Sequence, residues 1–462
     1  MKRPVRLVVA WVVIARQLVS RATRLALVLV AAALASGPRA SSAQAPAPYD
    51  SSLHRFLDSL ADSTDRYFGL IAAPLDTAGL DSALAAGLER PWRGPRAASR
   101  FSYGPVYAFN RVDGTLWGGS IGLRNRGARW RVSGDLGYAA GSDTWLGGGE
   151  LSAGFRRRET NWGLRITGGR RTQTMNRDFG ERRLASIRAL LWGGDRRNYL
   201  RRDGFTVAVA GSGTGWRAGV EYRDRLESPL AVTTRWNLRR NALAAGDNLA
   251  AAPGRAREVA FGGDVRIPGS PFHAQLTHQT ADRALGSDFD YRRTRAALGG
   301  EVVAGSRVSF VPQLVYGRLG GDPVPQAAFF LGGSSSLRSL RGDSLGGTGV
   351  AIARLDVIGV DDLLALARIP HPVMFPIQGG VFAATGAVWG ADPFRGPGTP
   401  YGGWPDRSAW RSEVGVSLLY RPGMPDEDAY LRVSRAWPVG PHGGGARWSV
   451  SYTRALDLLR AF

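Results

Sequence analysis

The feature that most constrains the fold of this chain is a two-residue alternation of apolar and polar side chains after residue 100. In residues 130–138 the apolar side chains occupy even positions: Trp130, Val132, Leu136 and Tyr138. The charged Arg131 and Asp135 occupy odd positions. Because successive side chains of a strand point to opposite faces, each such segment predicts a strand with one apolar and one polar face.

Sixteen segments of this kind follow one another. They begin near residues 115, 130, 144, 162, 204, 215, 230, 257, 271, 292, 307, 349, 376, 411, 428 and 446. Most span about 9–11 residues, the length that a tilted strand needs to cross a bilayer. In a soluble sandwich the apolar faces would meet a second sheet, whereas in a membrane barrel they meet lipid. The even count predicts an all-β chain, a 16-stranded antiparallel transmembrane β-barrel over residues 101–462.

The connections between these segments give a second test of the barrel. Barrels of this type have short connections at one end and long ones at the other. The connections 141–143, 268–271, 304–306 and 422–428 are short, and 239–256, 319–348 and 390–410 are long, each at the expected end. The connection 174–202, which contains a helix-like stretch at 181–192, is long, although it falls at the end of the barrel where short connections are expected. Either the strand count is wrong there or this loop enters the lumen.

Composition agrees with an exported barrel. The 462 residues include 62 glycines and 14 tryptophans but no cysteine. Glycine is a poor helix former, tryptophan favours membrane interfaces, and a chain without cysteine tolerates an oxidising compartment. The net charge of +22 would suit nucleic acid, but the arginines are dispersed along the alternating segments. No apolar run after residue 40 is long enough for a spanning helix.

The first hundred residues predict export and a small helical segment. Residues 1–43 combine a basic start, the apolar core 25–35 and a small-residue cleavage site, which together predict a signal peptide; an uncleaved anchor is the alternative. Residues 44–100 have apolar positions at helical spacing, as in Leu53, Phe56, Leu57 and Leu60. We expect a short periplasmic helical segment or plug there, ahead of the barrel.

Within the barrel region, residues 327–356 contain a glycine- and serine-rich stretch with two arginines. Gly332 and Gly333 precede three serines and the pair Leu337-Arg338, and a second pair, Arg341-Gly342, follows. This stretch resembles the inserted sixth loop of the bacterial surface antigen superfamily, the BamA/TamA-type outer-membrane barrels, although Ser339 stands where glycine is usual. A plain glycine-rich surface loop is the alternative interpretation.

Other stretches carry the same resemblance. Residues 110–114 resemble the sequence before the first strand in superfamily members that have few POTRA domains. The final segment shares apolar positions with the terminal strand that assembly machinery recognises: Trp448, Val450, Tyr452 and Phe462. Phe382 and Gly386 match an aromatic-x-Asp-x-Gly motif whose aspartate anchors the loop arginine in the family, but Ala384 replaces that aspartate.

The missing aspartate leads to a hypothesis about the loop. A buried arginine without a carboxylate is costly, so Arg338 or Arg341 needs another partner. Asp356 and Glu413 lie on the segments that flank 381–386 and share the polar parity. We therefore expect one of these two carboxylates to take the place of the missing aspartate.

No catalytic site is expected. The five histidines do not form a ligand set, since His273 and His278 fall on opposite faces of one strand. No nucleophile elbow, phosphate loop or zinc-protease helix occurs, although a lipase-type Ser/His/Asn set remains the one enzymatic alternative. We predict no metal and no cofactor.

The resemblance implies a role in outer-membrane protein biogenesis or in polypeptide or lipid transport, in the bacterial cell outer membrane. The expected partners are outer-membrane lipid and an unfolded polypeptide or periplasmic protein, and no nucleic acid. A first strand at Thr115–Asn125, with Gly118, Gly119 and Gly122, would pair weakly with the last strand. The alternative is a passive pore or structural barrel that keeps the scaffold without insertase activity. The sequence names no cargo and no oligomeric state.

Overall fold

The computed structural model describes residues 101–454, apart from 126–128, 158, 180–184, 193–194, 239–246, 306, 370–375, 395–403, 421–428 and 442–443. These residues belong to one compact unit, Asp58–Phe462. The signal peptide at 1–43, the helical segment at 44–100 and Phe462 lie outside the described residues, so the expectations about them stay predictions.

The described residues form an almost entirely antiparallel β structure. Its first ten strands are β1 (Phe101–Asn110), β2 (Gly114–Arg124), β3 (Trp130–Ala139), β4 (Thr144–Arg157), β5 (Thr160–Thr174), β6 (Tyr199–Gly213), β7 (Trp216–Pro229), β8 (Gly254–Arg266), β9 (Phe272–Ala281) and β10 (Tyr291–Gly300). The others are β11 (Val302–Ala304), β12 (Val308–Gly321), β13 (Phe329–Leu331), β14 (Leu345–Gly347), β15 (Gly349–Gly359), β16 (Ile377–Trp389), β17 (Arg411–Tyr420), β18 (Ala429–Val439) and β19 (Arg447–Arg454).

Seventeen of these strands form one sheet, and β13 and β14 form a separate two-stranded ladder. Each strand of the main sheet pairs with the next along the chain, from β1–β2 to β18–β19. Both β10 and β11 pair with β12, on either side of Glu301, so they fill one position between them. The described part of the sheet therefore has the predicted sixteen strand positions. No ladder joins β19 to β1 among the described residues, and 455–462 lie outside them.

The two faces of the sheet differ as the alternation predicts. On β5–β8 two successive cross-strand rows of the outward face are Leu164, Val209, Val220, Phe261 and Ile166, Val207, Tyr222, Val259. On the inward face the same strands present buried Glu221 and Glu258. An apolar outside around a charged inside is the arrangement of a transmembrane β-barrel, and the sheet is the wall of one.

The height of the apolar band fits a bilayer. On β7 the outward face runs from Trp216, beside a short turn, to Leu226 near the opposite end. Ten residues rise roughly 33 Å along a strand, which at a tilt of about 40° is near the ~25 Å band of outer-membrane barrels. Trp117 on β2 and Trp145 on β4 are more than half exposed on the same outward face, on either side of β3. Tryptophan at the edges of such a band is typical of membrane interfaces.

The prediction that Thr115–Asn125 is the first strand is wrong. The first strand is β1, Phe101–Asn110, and it pairs along its whole length with β2. Residues 110–114 are the tight turn between them, since the Asn110 side chain accepts hydrogen bonds from the amides of Val112 and Asp113 at 2.9 and 2.8 Å. Gly118, Gly119 and Gly122 therefore lie on the second strand, between β1 and β3, and are not at the seam with the last strand.

The strand predicted near residue 230 is also wrong. Residues 230–238 join no ladder, and the amides of Thr233 and Thr234 instead donate to the carbonyl of Arg111 at 3.0 and 3.1 Å. Arg235 of this loop is 70% exposed. Apolar and polar side chains can alternate in a loop as well as in a strand. Alternation alone therefore did not distinguish this loop from a strand. The two errors compensate, which is why the count of sixteen agrees.

The corrected order explains the misplaced long connection. Four long loops now follow odd positions of the wall and lie at one end: loop A (175–198), loop B (230–253), loop C (322–348) and loop D (390–410). Loop A contains the helix α1, Ala185–Trp192, and a short helix α2, Leu363–Leu366, lies in the connection after β15. No helix among the described residues is long and apolar enough to cross a bilayer.

Candidate functional site

Loop C is folded by its glycines and serines. Its two ends pair as β13 and β14, with Phe329 opposite Gly347. At the turn, Gly332 has a φ of +120°, and a Cβ on it would lie 2.0 Å from the carbonyl oxygen of Arg341. The amide of Gly332 donates to Ser336 Oγ at 2.9 Å. The Gly-Gly-Ser-Ser-Ser sequence thus forms a compact turn that a larger side chain at residue 332 would break.

Leu337 and Arg338 of this turn point into the barrel. Leu337 is 1% exposed and packs in the apolar cluster that contains Phe329 and Leu331. Arg338 is equally buried, and its Nη1 lies 3.1 Å from Asp356 Oδ1 on β15. Its guanidinium carbon lies 4.1 Å from the centre of the Phe382 ring on β16, which is a cation–π contact.

Glu413 on β17 binds the backbone of the same turn. Its two carboxylate oxygens accept from the amides of Arg338 and Ser339 at 2.9 and 2.6 Å. The carboxylate therefore fixes the direction of the chain at residues 338–339, whereas Asp356 fixes the side chain. Ser339, which departs from the family's glycine, supplies one of these amides, and the contact needs only its backbone. The structure brings Arg338, Asp356, Glu413 and Phe382 together.

The register shows where the two carboxylates lie relative to Ala384, the position of the motif aspartate. Ala384 on β16 stands directly between Arg354 on β15 and Glu413 on β17. Asp356 stands opposite Phe382, one inward-facing position away along the barrel wall. The two carboxylates, Asp356 and Glu413, thus lie on the strands to either side of residue 384. Gly386, the other motif position, lies beside Leu331 of loop C, with room of 3.5 Å between an added Cβ and Leu331 Cδ1.

Asp356 is the centre of a larger ionic cluster. Besides Arg338, Arg432 Nη1 lies 3.0 Å from its Oδ1 and Arg354 Nε lies 3.2 Å from its Oδ2. All four side chains are at most 4% exposed. With Glu413 the cluster holds three positive and two negative charges, so it carries an excess of positive charge away from bulk water. Such a cluster is costly to break, because removing one carboxylate takes a negative charge away from buried guanidiniums.

Arg341 and Asp343 at the tip of loop C behave differently from Arg338. Arg341 is exposed, and its side chain has no ion pair among the described residues. Asp343 is buried, has a φ of +51° and accepts a hydrogen bond from Asn176 Nδ2 of loop A. Burial raises the pKa of Asp343 to about 6. Of the two arginines, Arg338 is therefore the anchor. Gly342, next to Arg341, has open space where a Cβ would lie.

Loop A is a second loop that enters the barrel, and its unexpected length was the only sign of this in the sequence. Ser335 Oγ of loop C donates to the carbonyl of Phe179 at 2.5 Å. Asp178 forms ion pairs with Arg293 and, at 3.5 Å, with Arg295 on β10. Loops A and C are thus bound to each other and to the wall, and Arg293 on β10 contacts both of them.

The remaining predicted residues lie on the wall. Trp448 and Val450 face outward on β19, at 63% and 46% exposure, and Tyr452 is partly buried. Among the described residues no group of three or more His, Asp or Glu side chains is placed to hold a metal ion.

Comparison with known proteins gives only distant structural matches. No family model and no curated protein matches the chain. BamA from Haemophilus ducreyi, lacking POTRA domains 1–3, matches with a TM-score of 0.45 and 13% identity over 76% of this chain and 69% of that one. CdiB from Escherichia coli matches with a TM-score of 0.42 and 10% identity over 77% of this chain and 62% of that one. The outer membrane protein OpdK from Pseudomonas aeruginosa matches at 0.36 and 14% identity over 76% and 97%.

Proposed function

We propose that this protein is an outer-membrane β-barrel of the BamA/TamA type that acts in outer-membrane protein biogenesis or in polypeptide or lipid transport. The observation that carries the proposal is the anchor of loop C: Arg338 on Asp356 and Phe382, with Glu413 on the loop backbone. The proposal includes the bacterial outer membrane as its location and no enzymatic activity.

The anchor supports this role because it is specific and costly. A glycine- and serine-rich loop has little apolar surface of its own, so it would stay in water without strong contacts. Here its turn is held by charge-assisted hydrogen bonds to β15 and β17 and by a cation–π contact with β16, the strand between them. Buried ion pairs add little net stability compared with apolar packing, but they select one geometry strongly. A barrel that only had to fill its interior would not need such a device.

Its physical effect is to brace one sector of the wall from inside. Loop C leaves the wall after β12, crosses to β17 through Glu413 and returns at β15, so the positions of these strands depend on one another. A change in the loop would alter the shape of this sector, and a load on the sector would pull on the loop. In a transport or insertion barrel, such coupling links the position of loop C in the lumen to the arrangement of the wall strands.

A passive pore is the second candidate, and the inward arginines favour it. Arg202, Arg223 and Arg225 lie on adjacent inward faces of β6 and β7, and Arg293 and Arg295 on β10. A basic lining raises the local concentration of anions in a confined lumen. A pore would show anion-selective conductance, and its loss from cells would change permeability rather than membrane composition.

The test compares cells that carry the native protein with cells that carry Arg338→Ala, and Arg341→Ala is the matched control on the same loop. The biogenesis reading predicts that Arg338→Ala lowers the amount of particular barrels or of one lipid class in the outer membrane, whereas Arg341→Ala does not. If both strains keep a normal membrane composition and differ only in anion permeability, the protein is a pore. If neither strain differs in either property, loop C has no functional role.

A further inference from the structure

A cavity of about 270 Å³ lies at the end of the wall that carries the long loops. It spans four neighbouring strands, from Thr144 at the start of β4 to Ser228 near the end of β7. It belongs neither to the loop C anchor nor to the basic lumen.

The level of this cavity can be read from the outward face of β5–β8. The apolar rows give way to the mixed row Gly168, Phe205, Asp224, Arg257, and then to the charged row Arg170, Asp203, Leu226, Arg255. Charged side chains on a lipid-facing surface are tolerated only near the interfaces of the bilayer. The row that begins at Arg170 therefore lies at the level of the lipid headgroups, and three of its members line the cavity.

Arg201 provides the chemistry of the cavity. The residue is only 9% exposed, and its Nη2 donates to Asp113 Oδ1 at 3.0 Å and to Ser142 Oγ at 3.2 Å. Its Nη1 is buried and has no hydrogen-bond partner among the described residues. Arg201 itself lines the cavity, so its guanidinium offers a positive charge to an anionic acceptor that enters.

Two further residues that line the cavity, Ser228 and Arg170, can contact such an acceptor. Ser228 stands directly opposite Arg201 in the β6–β7 ladder and lines the cavity with it. Arg170 also lines the cavity, and its partner Asp203 at 2.8 Å is 43% exposed. Because this ion pair lies in water it is weak, and Arg170 is free to turn toward a stronger anion. The donors that meet here suit a tetrahedral phosphate, which arginine binds through several oxygens.

We propose that this cavity binds the phosphate of a lipid headgroup at the membrane surface on the long-loop side. Arg201, Arg170 and Ser228 contact the phosphate, while Leu226 and Leu230, which also line the cavity, contact the first carbons of the lipid. The apolar rows below Leu226 continue the path for the acyl chains. A free phosphate would use the same nitrogen donors but would gain nothing from these two leucines, which is why a lipid is the better occupant.

The experiment measures binding of short-chain phosphatidic acid to the purified full chain in uncharged detergent, by native mass spectrometry. Inorganic phosphate is the second probe. Arg201→Gln should weaken phosphatidic acid binding about tenfold, since a charge-assisted hydrogen bond is worth about 1.5–3 kcal/mol and 1.4 kcal/mol is tenfold. Arg170→Gln, at a more exposed position, should weaken it about threefold.

Arg255→Gln is the matched control. It removes the same charge from the same outward row, on the other side of Leu226, but Arg255 binds Asp224 at 2.7 Å and does not line the cavity. Binding by Arg255→Gln should equal that of the native chain. An equal loss in Arg255→Gln and Arg170→Gln would mean a general charge effect and would overturn the proposal.

The two sources of phosphate are distinguished by their affinities. Phosphatidic acid should bind the native chain at least tenfold more tightly than inorganic phosphate does. If phosphatidic acid and inorganic phosphate bind with equal affinity, and Arg201→Gln reduces both affinities, the lipid proposal is overturned and the cavity is a site for a free anion. If Arg201→Gln does not fold, Arg170→Gln and Ser228→Ala decide, and unchanged binding in both would refute the proposal.

Discussion

Two sectors of the barrel interior hold loops by different means. In the sector β15–β18, a single aspartate, Asp356, contacts three guanidiniums, and the loop is held by its backbone as well as by Arg338. In the sector β6–β10, arginines alternate with several carboxylates. Glu258, for example, lies 3.3 Å from Arg223 and 3.8 Å from Arg177 of loop A, while Glu221 and Glu227 lie nearby.

The difference shows which sector is built around its loop. In β6–β10 the wall charges largely pair with one another, as between Arg202 and Glu227 at 2.6 Å, and loop A joins an existing network. In β15–β18 the two carboxylates face the loop, and without loop C the Glu413 carboxylate would lose both of its amide donors. Loss of a carboxylate should therefore be severe in the sector β15–β18 and milder in the sector β6–β10.

The largest effect is expected from Asp356→Asn. The change keeps the shape of the side chain but leaves three buried guanidiniums without their central negative charge. Breaking a buried pair in this way costs about 3–5 kcal/mol. The free energy of unfolding of the barrel in urea measures it, with the native chain in the same detergent as reference. A loss below about 1 kcal/mol would mean that water or another anion replaces the carboxylate.

A smaller effect is expected from Glu258→Gln in the other sector. Glu258 is 0% exposed and accepts a hydrogen bond from the Tyr291 hydroxyl, a contact that glutamine can keep. Because Glu221 and Glu227 remain beside the same arginines, we expect a loss of about 1–3 kcal/mol. The same urea experiment compares the two variants. An equal or larger loss than for Asp356→Asn would remove the distinction between the sectors.

A change of pH should alter the stability of the contact between loops A and C by less than either substitution alters the stability of the barrel. The pKa of Asp343 is about 6 in the folded protein, above its ordinary value of 3.8, so the folded state binds the proton more tightly. Burial of Asp343 between the two loops is therefore most favourable below pH 4 and becomes less so as the pH rises from about 4 to 6, because the hydrogen bond from Asn176 offsets only part of the cost of burying the charge. Hydrogen exchange of loop A and loop C between pH 4 and 7 measures this.

Asp343→Asn is the control for that experiment. Asparagine adopts positive φ more readily than most residues and does not titrate, so it can occupy the same backbone position. The variant should lose the change in exchange between pH 4 and 6. If the native chain and the variant respond to pH in the same way, a different group is responsible.

No effect on stability or on the loop is expected from Arg341→Ala. Arg341 lies three residues from Arg338 and is exposed, and surface substitutions of this kind change stability little. Protease digestion of the folded barrel checks this, since loop C should stay as resistant as in the native chain. Faster cleavage would show that the second arginine shares the anchor.

Much of this arrangement could be predicted from the sequence, for identifiable reasons. Parity along each strand placed Asp356 and Glu413 on the inward face, and the cost of burying Arg338 unpaired pointed to a carboxylate near it. The loop at 230–238 was predicted to be a strand because its side chains alternate, and 110–114 was placed before the first strand by resemblance alone, which does not show the strand ahead of it. The contact of Asp343 with Asn176, which are 167 residues apart, depends on how two loops meet and leaves no periodic signal.

The protection of loop C against protease in Arg338→Ala tests the central claim most directly. The barrel is digested while folded, and cleavage within residues 332–344 is followed over time in the native chain, Arg338→Ala and Arg338→Lys. We predict rapid cleavage in Arg338→Ala and partial protection in Arg338→Lys, which keeps the charge but loses the planar contact with Phe382. Native resistance in Arg338→Ala, with the barrel intact, would contradict the claim that this arginine holds the loop inside.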